Sequence, residues 1–133
     1  MRPTRDEMLM QIAEVVSQRS TCSRAAVGVV VARQGRVLIT GYNGAPAGMP
    51  HCFHYEGETE PCEVSVHAEA NAVAWAARWG ISLEGAELFT TVSSCLNCAK
   101  LLINAGITRV ISKQQYREAA GLELLRSAGI ALR

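Results

Sequence analysis

The sequence has no excess of charge. Thirteen lysines and arginines stand against twelve aspartates and glutamates, a formal net charge of +1. No basic run stands out, so the chain lacks the electrostatic footprint of a protein that binds long nucleic acid. A small anionic ligand stays open, because one arginine can serve a phosphate. No apolar run approaches the roughly 20 residues that a membrane helix needs, so no membrane partner is expected. Met1-Arg2-Pro3-Thr4-Arg5-Asp6-Glu7 lacks the apolar stretch of a signal peptide, and the expected location is the cytoplasm. There is no internal repeat and no low-complexity segment. Nor is the cysteine count even. Cys22, Cys52, Cys62, Cys95 and Cys98 speak for metal binding rather than a disulfide framework. What is there is a chain of 133 residues, 49% hydrophobic, the size and balance of one domain with one core over residues 1–133.

Periodicity orders the elements. Thr4 to Glu7 form a capping box, and Leu9, Ile12, Ala13 and Val16 mark an amphipathic helix ending near Ser20. Val27–Ala32 and Val37–Tyr42 read as two buried strands around a tight turn at Gln34-Gly35. Residues 43–66 hold Gly44, Pro46, Gly48, Pro50, Gly57 and Pro61. A connector this long in a small domain is usually functional or ordered by a ligand. A helix from His67 to Trp79 stops at Gly80. Leu88–Val92 is a strand, and Ser93-Ser94 offers an N-cap for a helix stopped by Gly106. Thr108–Ser112 is a fourth strand, and a helix through Leu122, Leu125 and Ala128 stops at Gly129. Ile130–Leu132 reads as a short last strand. Strand-helix-strand in the second half requires parallel pairing with a right-handed crossover, hence an α/β fold with a mixed sheet and helices on both faces. The alanine-rich helix face at Ala70, Val73, Ala74 and Ala77 is assigned to the core, with a subunit contact as the alternative.

Two motifs carry chemistry. Cys95 and Cys98 are three residues apart and share one face of a helical turn. The first turn of a helix favours thiolate over thiol, and zinc needs the thiolate. His67 at the start of another helix supplies a third ligand, which leaves a fourth position for water. Glu69 lies two residues on, off the ligand face, where a carboxylate can move protons without binding metal. A lone Cys-x-x-Cys also fits a structural zinc or a redox pair, but no thioredoxin-like pattern accompanies it. His-x-Glu and Cys-x-x-Cys at the starts of helices separated by one strand point to hydrolytic zinc chemistry.

With these motifs in view, the chain resembles the deoxycytidylate deaminases of the cytidine deaminase superfamily. The resemblance rests on Ser20-Thr21-Cys22-Ser23-Arg24, Gly41-Tyr42-Asn43-Gly44-Ala45-Pro46-Ala47-Gly48, His67-Ala68-Glu69-Ala70-Asn71-Ala72, Cys95-Leu96-Asn97-Cys98-Ala99-Lys100, Ala105-Gly106-Ile107 and Tyr116-Arg117. It implies a three-layer α/β/α fold with about five strands. It also implies zinc-dependent conversion of dCMP to dUMP, Zn²⁺ as cofactor, and a homo-oligomer, often a hexamer, with dCTP and dTTP as effectors near Gly41 to Gly48. By position, the resemblance implies that Asn43 holds the sugar hydroxyl. It makes Arg24, Tyr116 and Arg117 candidates for the phosphate end and the nucleotide pocket, with a solvated surface arginine as the alternative for Arg24 and Arg117. Ala68 and Ser94 are candidates for substrate contact. Ser94 stands where the family has proline before the first cysteine. Serine can cap a helix as proline can start one, so the fold should survive while the wall beside the ring changes.

Related enzymes carry a second zinc on cysteines in similar places. Here the resemblance implies a closed site of Cys22, Cys52, Cys62 and a histidine, His54 preferred over His51. The alternative is three cysteines packed as small hydrophobes. Other functions stay open on the residues alone. They are deamination of dCTP, of a modified dCMP or of another amino-substituted ring, or a zinc-stabilised module without catalysis.

Overall fold

The computed structural model describes residues 1–116 and 118–133. Its elements run α1 (Arg5–Ser17), β1 (Gly28–Arg33), β2 (Arg36–Tyr42), α2 (Ala68–Trp79), β3 (Glu87–Val92), α3 (Leu96–Ala105), β4 (Arg109–Gln114), α4 (Ala120–Ser127) and β5 (Ala131–Leu132). The capping box forms as expected. Thr4 Oγ1 accepts from Glu7 N–H at 3.1 Å, and Glu7 Oε1 accepts from Thr4 N–H at 3.0 Å. The helix ends at Ser17, earlier than the expected Ser20, where the Ser17 hydroxyl turns back onto Glu14 O at 2.6 Å.

The five strands form one sheet in the order β2-β1-β3-β4-β5. β1 pairs antiparallel with β2 and β3, while β3-β4 and β4-β5 are parallel, giving the mixed sheet. The Gln34-Gly35 turn has positive φ at both residues, which matches the twist of the hairpin it closes. β2 is not the buried strand expected: it lies at a sheet edge and is partly exposed, whereas β1 is covered on both faces.

Alternation along β1 feeds two cores. Val29 and Val31 join Leu88, Val110, Ala72, Ala76 and Leu102 beneath α2, α3 and α4. Val30 and Ala32 join Phe89, Leu9 and Ala13 beneath α1. The helices thus cover both faces, three to one. The alanine stripe that enters the core on α2 is Ala68, Ala72 and Ala76. The assigned face fails for Ala74 and Ala77, which are exposed, because the 3.6-residue turn aims only one stripe at the sheet.

The sheet and loops set where the site is built. Gly44 and Val66 form an isolated antiparallel bridge, with N–H···O bonds of 3.2 and 2.8 Å. The bridge closes the long connector and delivers the chain to His67. Asn71 Nδ2 donates to Tyr42 O at 2.8 Å, tying α2 to the end of β2. α4 packs so closely over the entry to α3 that a Cβ on Gly121 would collide with Ser94 O. Only glycine admits that approach.

Candidate active site and metal centres

The start of α2 and the start of α3 bring three ligands together. His67 is the N-cap of α2 and Cys95 the N-cap of α3, and neither side chain makes a capping bond. Both are therefore free to point outward from the helix ends. Cys95 takes the cap position expected of Ser93-Ser94, so Ser94 lies one residue before the cap. His67 Nδ1 is 3.4 Å from Cys95 Sγ and 3.4 Å from Cys98 Sγ. The three ligand atoms all lie within 4.8 Å of one another. This donor set, one imidazole and two sulfurs with no fourth protein ligand in the group, fits a catalytic zinc rather than a closed structural one.

The cluster's electrostatics prepare it for a cation. The Cys98 thiol beside Cys95, with His67, holds Cys95 well below the usual thiol range. The same contact and burial push the Cys98 thiol up, since it is the donor of the pair. A metal ion would take the place of the proton they share. Hydrogen bonding to Cys95 raises the His67 pKa, with burial opposing it.

Glu69 is buried, only 4% exposed, and lies outside the ligand group as its spacing predicts. Burial pushes its carboxyl above the ordinary range, while the nearby Ser94 hydroxyl pulls the other way. The contact with Ser94 falls short of a well-formed hydrogen bond. Among the described residues, the Ser94 hydroxyl is the buried side-chain polar atom left without a partner. The proline position of the motif has thus become a polar one beside the carboxylate.

The other expected substrate residues fare differently. Asn43 is buried and already engaged: its Oδ1 accepts from Val27 N–H at 2.8 Å and its Nδ2 donates to Ala25 O at 2.8 Å. Only its remaining hydrogen-bonding capacity is available to a sugar. Ala68 turns its methyl into the core. Tyr116 N–H donates to Ser93 Oγ at 2.5 Å, tying its backbone to the segment that leads into α3. Arg117 lies outside the described residues. Arg24 does not stand free for a phosphate. Its Nη1 donates to Glu60 O and lies 3.6 Å from Glu58 Oε2.

A second cluster lies apart from the first. Cys22, Cys52, His54 and Cys62 place their ligand atoms within 4.8 Å of one another. His54 joins it and His51 is not in the group. Three sulfurs and one imidazole are a normal closed zinc sphere. Burial opposes the Cys62 thiolate, yet the backbone N–H groups of Ser65 and Val64 bring the thiol down to about 6. None of the five cysteines is in a disulfide. Glu58, whose Oε2 lies 2.5 Å from His54 Nδ1, was not singled out by the sequence, because a loop carries no periodicity that would flag it.

A cavity of about 450 Å³ opens beside the Gly-rich loop, lined by Ser20, Thr21, Tyr42, Ala45, Gly48 and His51 among others. It includes none of the His67, Cys95, Cys98 and Glu69 group. Among the described residues, no helix is long and apolar enough to cross a membrane.

One imidazole and two sulfurs gathered with no fourth protein donor in the group, near a buried carboxylate, fit a hydrolytic zinc enzyme. Comparison with known proteins narrows this. The family described as the cytidine and deoxycytidylate deaminase zinc-binding region matches residues 3–114. The chain belongs to this family of zinc-dependent deaminases. It is 32% identical to the deoxycytidylate deaminase of Enterobacteria phage T2, over 92% of this chain and 87% of the relative. It is 40% identical to that of Mycobacterium phage D29, over 83% of this chain and 94% of the relative. Its fold is similar to the crystal structure of dCMP deaminase from the cyanophage S-TIM5 in complex with dCMP and dUMP. There the TM-score is 0.90 at 37% identity, covering 100% of this chain and 98% of that one.

Proposed function

We propose that this chain, acting as one domain over residues 1–133, hydrolyses dCMP to dUMP and ammonia. One observation carries the reading: His67 Nδ1 and the sulfurs of Cys95 and Cys98 converge beside a buried, unligated Glu69. The full-length likeness to a structure holding dCMP and dUMP supports the substrate.

His67, Cys95 and Cys98 would hold the zinc. When bound, zinc supplies the Lewis acidity that makes water a nucleophile near neutral pH. Glu69 takes a proton from the attacking water, gives it to the ring nitrogen, and returns a proton to the leaving amine. The C–O bond forms first, giving a tetrahedral ring carbon. The C–N bond then breaks as the proton of the new hydroxyl passes through Glu69 to the amine, so water and dCMP become dUMP and ammonia. Burial keeps bulk water from competing at the Glu69 carboxylate. Asn43 meets the sugar with its remaining capacity. With Arg24 engaged elsewhere, Tyr116 and Arg117 are left as the phosphate-end candidates. Ser94 offers its hydroxyl to the ring side of the pocket or to Glu69. A reaction on free nucleotides goes with a cytoplasmic setting.

Cys22, Cys52, Cys62 and His54 form a closed, structural zinc site in this reading. The cavity beside the Gly-rich loop is the place proposed for dCTP or dTTP as effectors. Trp79 on α2 and Leu96 and Leu101 on α3 are exposed apolar residues, which supports assembly of copies through these helices, a hexamer by resemblance. The deciding experiment incubates the protein with dCMP, dCTP, deoxycytidine and cytosine and follows loss of the cytosine absorbance, with and without dCTP and dTTP. Turnover of dCMP in preference to the others is expected. Equal turnover of free cytosine would overturn the reading.

A further inference from the structure

We infer that Glu58 and Arg24 are the outer support of the second metal cluster, Glu58 holding His54 and Arg24 holding Glu58. The inference rests on the reading of Cys22, Cys52, His54 and Cys62 as a zinc site.

The two nitrogens of His54 have different neighbours. Nε2 is 3.4 Å from Cys22 Sγ and so faces the sulfurs. Nδ1 is 2.5 Å from Glu58 Oε2 and so faces a carboxylate. The ring between them is nearly covered, with its side chain 7% exposed. A neutral imidazole that binds metal through one nitrogen keeps its hydrogen on the other. Here that hydrogen has a carboxylate acceptor, which fixes the tautomer and aims Nε2 at the sulfurs.

Glu58 needs a partner of its own. Three thiolates around a divalent cation leave a net negative centre, and a further carboxylate next to it is repelled. Arg24 supplies the missing charge. Its Nη1 lies 3.6 Å from the same Oε2 that His54 meets, and it also donates to the Glu60 carbonyl. The segment that supplies ligand Cys22 thus supplies the outer cation as well. Through Glu58 and Glu60 that cation fastens the loop between His54 and Cys62. These contacts give Arg24 a reason to be present that does not involve a substrate phosphate.

The test measures zinc on the purified full-length protein by elemental analysis and by titration with a chromophoric chelator. Wild type is expected to hold two zinc ions per chain. Glu58→Ala should weaken one of them by about 10–100-fold, the usual loss when an outer partner of a ligating histidine is removed, and leave the other unchanged. Glu58→Gln keeps an acceptor for the ring N–H and should fall between wild type and Glu58→Ala. Arg24→Ala should weaken the same ion by a smaller factor, because Glu58 keeps its bond to His54. One zinc in wild type overturns the underlying reading of the cluster. Two zincs in wild type with unchanged affinity in Glu58→Ala overturn the support role alone. Equal weakening of both ions also overturns it, since that reports general destabilisation. An unaffected Arg24→Ala removes Arg24 from the support.

Discussion

The two cysteine–histidine clusters of this chain are built from the same residue types, and in the proposed reading they serve opposite ends. At the first, His67, Cys95 and Cys98 come from the starts of α2 and α3, both packed on one face of the sheet. At the second, Cys22, Cys52, His54 and Cys62 all come from segments outside helices and strands. Three donors on rigid elements would leave a zinc one position for water, with the buried Glu69 carboxylate two residues from His67. Four donors on loops would leave none, and the Glu58 carboxylate there meets His54 Nδ1 at 2.5 Å instead. Ligand count, and what the nearby carboxylate touches, separate a reactive site from a fastening.

The sharpest way to break this contrast is to remove a ligand from each cluster. Cys98→Ala should lose one zinc and all measurable turnover while keeping the other ion, by elemental analysis and assay. Equal residual activity in Cys98→Ala and Cys62→Ala would erase the distinction. Next in size is Glu69→Gln. It should cost about 10²–10⁴-fold in kcat, the usual worth of a positioned proton carrier, with zinc content unchanged. Lost zinc would mean that Glu69 is a ligand after all.

Smaller is the effect of emptying the closed cluster. At a zinc concentration 100 times its Kd, that ion stabilises the fold by about 2.7 kcal/mol, so Cys52→Ser should lower Tm in zinc buffer by the corresponding amount. A Tm that zinc does not move would end the structural role. The smallest effect lies away from both clusters. Asp6 pairs with Arg109 at 2.5 Å and with Arg133 at 3.4 Å. The hydrogen bond to Arg109 lowers the Asp6 pKa, so its contribution is present above the unfolded pKa and is lost as pH falls through the lower folded value. Asp6→Asn should cost up to about 1 kcal/mol at pH 7, for a partly exposed pair, and nothing in strong acid. Urea unfolding at the two pH values checks both.

Residue order determined a great deal of this protein. The alternation of Val29 to Ala32, the capping box at Thr4 and the spacing of Cys95 and Cys98 act over a few residues, and local sterics and hydrogen bonding decide such features. The cluster of His67, Cys95 and Cys98, with Glu69 outside it, was legible in the same short patterns. Tertiary structure alone decided the rest. It placed β2 at an edge, gave Arg24 to Glu58 rather than to a free pocket, and spent most of Asn43 on the backbone. It also brought His54, and not His51, into the second cluster. These outcomes depend on which distant segments meet, through hydrogen bonds and charge pairs that satisfy buried groups, and no periodicity along the chain encodes such meetings.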